Sequence, residues 1–120
     1  MAQKNRNDPN AVVQGGCELF FKRSVAPLLV LRLLRERECH IPEIPEKIAE
    51  MTNGAVQIYL PYTICKRLMG ENLIARTQQH KDGRKRKTYS ITEKGIEFLN
   101  RESAAYLKCV DSVAVFLRSE

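Results

Sequence analysis

Apolar positions recur along this chain in two rhythms. From Ser24, Leu28, Val30, Leu31, Leu33 and Leu34 lay down a broad apolar face with Arg32, Arg35 and Arg37 opposite, the pattern of a helix buried along one side. Ser24 suits its N-cap, and Pro27 then falls in the first turn, where a missing amide costs little. Ile44, Ile48 and Met51 follow at i, i+4 and i+7, predicting a short second helix that ends near Asn53-Gly54. Pro42 and Pro45 are tolerated in its first turn, and Glu43 and Glu46 sit where the helix dipole favours acids. Tyr59-Leu60-Pro61 opens a third helix with Pro61 at the first position. Its inward stripe is Ile64, Cys65 and Leu68, Thr63, Lys66 and Arg67 face outward, and Gly70 to Asn72 close it.

The rhythm then changes. Leu73 to Thr77 and Lys87 to Ile91 read as strands on either side of Asp82-Gly83, a strong hairpin signal. Thr92 caps a last helix in which Ile96, Leu99, Ser103, Tyr106, Val110, Val113 and Leu117 recur in steps of three and four, widened by Ala104, Ala105, Leu107 and Ala114. A helix of about 25 residues is roughly 38 Å long, more than so small a domain can cover. A second copy of the chain is therefore expected along its seam. The order helix, helix, helix, hairpin, long helix predicts a mostly α fold with a small β-hairpin wing. Residues 1–17, polar up to Gly15-Gly16, are expected as a flexible arm, residues 18–91 as a winged helix-turn-helix, and 92–120 as a C-terminal dimerisation helix.

At 120 residues and 43% apolar composition the chain is one domain with a core of its own. The most apolar run, Val25 to Leu34, is broken by Arg32, and no signal peptide precedes it, so a soluble cytoplasmic protein is expected. Cys17, Cys39, Cys65 and Cys109 lie more than twenty residues apart without CxxC or paired-histidine spacing. No metal or cofactor is expected, and in a reducing compartment the cysteines default to small buried apolar residues, Cys17 and Cys39 being the less buried candidates for redox chemistry. His40 and His80 have no triad-like partners and there is no phosphate-binding glycine loop, which argues against an enzyme. His40 reads as a helix-entry or packing residue and Tyr89 as packing.

Charge adds what periodicity does not. Between Arg76 and Lys87 lie six basic side chains and one acid, Asp82, a net +5 in twelve residues that accounts for nearly all of the chain's +6. Taken alone such a run is a solvated loop. On a hairpin beside a helix-turn-helix it is placed to meet a polyanion, and a phosphate backbone is the commonest one.

Three stretches carry a resemblance over roughly Phe20 to Asn100: VAPLLVLRLLRE with His40 and Glu43-Ile44 behind it, LPYTICKRLMGENLI, and RKTYSITEKG. They resemble PadR-type transcriptional regulators, the last almost residue for residue. Ile41 and Pro42 depart from that family's glycine and aromatic residue, and Tyr59 and Asn72 stand where it usually has glycine. The resemblance implies a homodimeric repressor on an inverted-repeat DNA site. Tyr59, Tyr62, Thr63, Lys66 and Arg67 would meet base edges and adjacent phosphates, and Lys81, Arg84, Lys85, Arg86 and Lys87 would grip the flanking backbone or minor groove. Leu99, Tyr106, Val110, Val113 and Leu117 would form the dimer seam. Some relatives hold flat aromatic drugs between tryptophans; this chain has no Trp, so a small hydrophobic effector would meet Phe98, Tyr106 and Phe116 instead. The competing class is a winged-helix interaction module whose basic hairpin binds an acidic protein.

Overall fold

The computed structural model describes the backbone of residues 16–81 and 83–120, and their side chains except at 79–81, 84 and 85. The expected arm, but for its last two residues, lies outside the described residues. Cys17 already belongs to the first helix, α1 (Cys17–Glu36). Ser24 is therefore not a cap: it sits mid-helix, its hydroxyl donating to the Phe21 carbonyl at 2.8 Å. Leu19, Phe20 and Phe21 carry the helix upstream, steadied by a Glu18–Lys22 ion pair one turn apart at 2.9 Å. Pro27 thus falls inside α1, an interior position that costs about 3 kcal/mol. Burial of Val25, Ala26, Val30, Leu31, Leu33 and Leu34 outweighs it, at roughly 1.5–3 kcal/mol for each large side chain.

The second helix, α2 (Glu43–Met51), buries Ile44 and Ile48 as its period predicts, but Met51 is exposed. The Thr52 hydroxyl explains the difference. It donates to the Ile48 carbonyl at 2.8 Å and accepts the Val56 amide at 3.1 Å, turning the chain sharply through Asn53 (φ 52°) and Gly54 (φ 79°). Val56 and Ile58 then fill the core beside Ile48. The third helix, α3 (Pro61–Gly70), has Pro61 at its first turn and buries Cys65 and Leu68. It is stopped at Asn72, which adopts the left-handed conformation (φ 61°) common at helix ends, while the Leu73 amide reaches back to the Leu68 carbonyl at 2.9 Å.

The expected strands are longer than their apolar patterns. β2 (Ile74–Lys81) and β3 (Arg84–Ile91) pair antiparallel from Ile74 opposite Ile91 to Lys81 opposite Arg84, with Gly83 at the reversal (φ 73°). A two-residue strand, β1 (Cys39–His40), pairs with β3 opposite Tyr89 and Thr88, giving a three-stranded sheet in the order β1-β3-β2. Two residues carry no periodicity, so β1 has no signature in the sequence.

The last helix, α4 (Glu93–Arg118), starts from a single anchor. Thr92 caps it by accepting the Gly95 amide at 3.0 Å, and the Thr92 amide donates to the Leu73 carbonyl at 3.1 Å. The Thr92 hydroxyl has the Asn72 carbonyl at 2.7 Å and the Leu73 carbonyl at 3.1 Å as acceptors. Gly95 is buried against this crossing: a Cβ there would lie 2.1 Å from the Leu73 oxygen. Leu99, Tyr89 and Leu73 join α1, α2 and α3 in one core. Cys39 and Cys65 are buried in it, which corrects the expectation that Cys39 is accessible, whereas Cys17 and Cys109 are exposed. Burial pushes the Cys39 thiol up and the Cys65 thiol up to about 11. Among the described residues no helix is long and apolar enough to cross a membrane, and no cluster of His, Cys, Asp and Glu could hold a metal ion.

Candidate nucleic-acid interface

Two buried residues fix the orientation of α3. With Cys65 and Leu68 held in the core, 3.6-residue periodicity turns Tyr62, Thr63, Lys66 and Arg67 outward, and all four are exposed. Ahead of them Tyr59 is 78% and Leu60 66% exposed, with Tyr62 at 57%. The first turn of α3 carries no acid, so nothing offsets the positive end of its dipole. The outward side chains form two columns. Tyr62 and Lys66 stand clear of the cleft of about 1060 Å³ that Tyr59, Leu60, Thr63 and Arg67 line along one wall. Its opposite walls come from α1 and α4 (Leu19, Arg23, Phe98, Tyr106), and Glu71 lines it too. The sequence reading passed over Leu60 and Glu71; neither has a signal beyond lying near a helix terminus.

The wing begins where the sheet leaves the core. Tyr89 is buried, a packing residue, and beyond it Lys87 and Arg86 are exposed, as is Arg76 directly across from Tyr89. Strand alternation puts Arg86 on the face of Thr88 and Lys87 on the face of Tyr89, so cations emerge on both sides of the ribbon. Thr77 and Thr88 share a hydroxyl hydrogen bond of 2.8 Å across the first of these faces. The side chains of Lys81, Arg84 and Lys85, together with Asp82, lie outside the described ones; the backbone positions of the three basic residues continue the same ladder.

The density of positive charge, a net +5 over residues 76–87, separates this surface from the rest. On α1, α2 and α4 four cations meet carboxylates, Lys22 with Glu18, Arg32 with Glu36 at 2.8 Å, Lys47 with Glu50 and Arg101 with Glu102, while Arg23, Arg35, Lys94, Lys108 and Arg118 form no ion pair among the described residues. Among the described residues Lys66, Arg67, Arg76, Arg86 and Lys87 take part in no such pair. At the base of the wing, Glu43 gathers the His40 ring, the His40 amide at 3.2 Å and the Arg37 guanidinium. Burial alone would raise the Glu43 carboxyl; the His40 amide and ring and the Arg37 charge outweigh it and hold the group below the usual carboxylate range. His40 thus serves helix entry, joining β1 to the start of α2.

The seam expected along α4 divides in two. Leu99 is buried in the subunit's own core, because the first turns of α4 pack beneath α1, so it is not a seam residue. Tyr106 is half-buried against Phe21 of α1, ring centroids 6.1 Å apart, and its hydroxyl is enclosed with no hydrogen-bond partner among the described residues. Burial, and secondarily Cys109, raise its pKa. Val110 is half-buried and Val113 exposed. Beyond them Phe116 and Leu117 are 77% and 74% exposed, joined by Val115 and Leu107. Phe98 and Tyr106 line the cleft; Phe116, at the free end of α4, does not.

An outward α3, a cationic two-stranded ribbon and a shared core define a winged-helix DNA-binding regulator. The transcriptional regulator PadR-like family model matches residues 30–101, and the chain belongs to that family, whose members are transcriptional regulators and not enzymes. A PadR family transcriptional regulator from Eggerthella lenta is 24% identical, with 93% of this chain and 95% of that one covered at a TM-score of 0.75. A PadR-like transcriptional regulator from Bacillus cereus is 25% identical, covering 84% and 99% at 0.72. A transcriptional regulator from Clostridium thermocellum is 21% identical, covering 82% and 99% at 0.75. No curated protein matches the chain.

Proposed function

We propose that the chain is a homodimeric, sequence-specific repressor working in the cytoplasm. Tyr59, Tyr62, Thr63, Lys66 and Arg67 on and before α3 enter the major groove, and Lys81, Arg84, Lys85, Arg86 and Lys87 on the wing hold the flanking backbone or minor groove. The observation that carries this reading is the exposed outer face of α3, with Lys66 and Arg67, on a helix packed against a hairpin that carries a net +5 in twelve residues. The dimer reading rests on the far half of α4, where Val113, Val115, Phe116 and Leu117 stand exposed at a spacing suited to a second helix. Two-fold symmetry then sets two α3 helices about 34 Å apart on one face of the duplex. A small hydrophobic effector fits the cleft walled by α1, α3 and α4, where Phe98 and Tyr106 offer aromatic surface. Filling the cleft would push on the wall that carries Thr63 and Arg67, which links occupancy to release.

The test is fluorescence anisotropy with labelled duplex DNA over a range of salt, with light scattering on the same sample. Binding as a dimer with a steep fall in affinity as salt rises is expected; no binding to duplex at low salt would sink the reading.

A further inference from the structure

Three large apolar side chains within four residues stand in water at the leading end of α3, and folding supplies no reason for them. Tyr59, Leu60 and Tyr62 contribute nothing to the buried core, while Ile58 just before them and Cys65 just after do, and Tyr59 and Leu60 stay largely exposed although they also line the cleft. Single exposed apolar residues are ordinary, but a cluster marks a contact surface. The cluster is also held in place. Pro61 keeps the backbone of Leu60 out of the helical region, the Leu60 carbonyl accepts the Ile64 amide at 3.2 Å, and the Tyr59 hydroxyl donates to Gln57 Oε1 at 2.9 Å.

We propose that Leu60 and Tyr59 read thymine methyl groups in the major groove, making this protein's site selective for thymine under the tip of each α3. The inference rests on the DNA-binding reading above and deepens it. The surroundings of the cluster choose its occupant. Lys66 and Arg67 follow within two turns, the helix start has no acid, and the wing adds Arg86 and Lys87. An apolar protein surface seated here would strip water from these cations and give nothing in return, whereas duplex DNA compensates them with phosphate. Within the groove the base edges are donors and acceptors with one apolar exception, the C5 methyl of thymine. The leading end of a recognition helix is the part that reaches those edges. Tyr59 and Leu60 thus give the tip an apolar surface that scores methyl groups.

The experiment begins with wild-type protein and a random duplex library, from which the preferred site is selected. Each thymine in it is then replaced in turn by deoxyuridine, which removes the methyl group and leaves every hydrogen-bonding edge intact. At one or two thymines per half-site the replacement should weaken binding about fourfold, as expected for one buried methyl group. Leu60→Ala and Tyr59→Ala should bind the thymine site more weakly and respond to deoxyuridine less than about twofold at those positions, roughly the scatter of such measurements. Selection of a clear site in which every thymine tolerates deoxyuridine would overturn the inference while leaving DNA binding intact. So would variants that keep the full wild-type response, or a change of oligomeric state in Leu60→Ala, which would assign the cluster to a second copy. A protein that enriches no sequence and binds no duplex would fail the underlying reading itself.

Discussion

Gly95→Ala tests how α4 is fixed to the rest of the molecule. In an open helix the change would stabilise, since alanine is favoured over glycine by about 1 kcal/mol. Here the new Cβ would lie 2.1 Å from the Leu73 carbonyl oxygen, 2.7 Å from Ile91 Cγ1 and 3.0 Å from the Leu73 carbonyl carbon. Two of those atoms are backbone, tied to the Thr92 amide and hydroxyl, so the neighbour cannot swing aside. The start of α4 must shift instead, at an overpacking cost of about 1–3 kcal/mol. That shift also pulls the Gly95 amide off the Thr92 hydroxyl, a cap worth about 1 kcal/mol. Set against the propensity gain, the net loss is about 2 kcal/mol, or a fall in Tm of roughly 5–10 °C for a chain of this size. Gly70→Ala is the control, because a Cβ at that helical position meets nothing within 4 Å and should leave Tm unchanged or slightly raised. Far-UV circular dichroism melts at equal protein concentration decide the matter. A Gly95→Ala protein that melts at or above wild type would refute the close approach at this crossing.

Other perturbations follow from the same geometry. Replacing Arg86 and Lys87 by alanine should weaken binding to all duplex sequences alike and reduce the slope of log affinity against log salt by about 0.9 for each phosphate no longer neutralised; an unchanged slope would remove the wing from the interface. Val110→Glu with Val113→Glu should give a monomer by light scattering that still shows wild-type helix content, since Val113 stands exposed on a single subunit; a persistent dimer would place the seam elsewhere. Maleimide should label Cys109 promptly and Cys39 and Cys65 only on unfolding, burial having raised both of those thiols, and equal rates measured by mass spectrometry would contradict the core. Glu43 ionises more readily folded than unfolded. Its contribution is therefore full above the unfolded value near ~4.3 and is lost as pH falls through the lower folded value. Glu43→Gln should accordingly lower stability at pH 7 and flatten its decline below about pH 4 in urea titrations; an acid limb as steep as wild type would show that Glu43 does not carry it.

Periodicity and short-range chemistry made much of this molecule legible from the chain alone. The second, third and last helices, the Pro61 start, the Asn72 stop and the Thr92 cap each depend on residues within a turn or two, and these are written locally. The charge knot likewise depends only on composition along twelve residues. Where sequence reading went astray, a distant segment had intervened. Ser24 looks like a cap until burial of the next two turns is seen to hold Pro27 inside a longer helix. Met51 has the right period for the core, yet it is exposed, and Val56 and Ile58 past the Thr52 turn are the buried residues. Leu99 belongs to the same arithmetic stripe as Val113, and only the packing of α1 over the first turns of α4 separates core from uncovered seam.

The chain's local pattern therefore determined which elements form, in what order, and that one hairpin would carry the positive charge. Tertiary structure alone decided which copy of each repeating side chain is covered, that β1 exists, that Gly95 admits no larger residue, and that Leu60 stands beside Tyr59 in solvent. The physical reason is that helix and turn preferences are set by neighbours a few residues away, whereas burial is a property of every segment that arrives at a place, however far apart those segments lie along the chain.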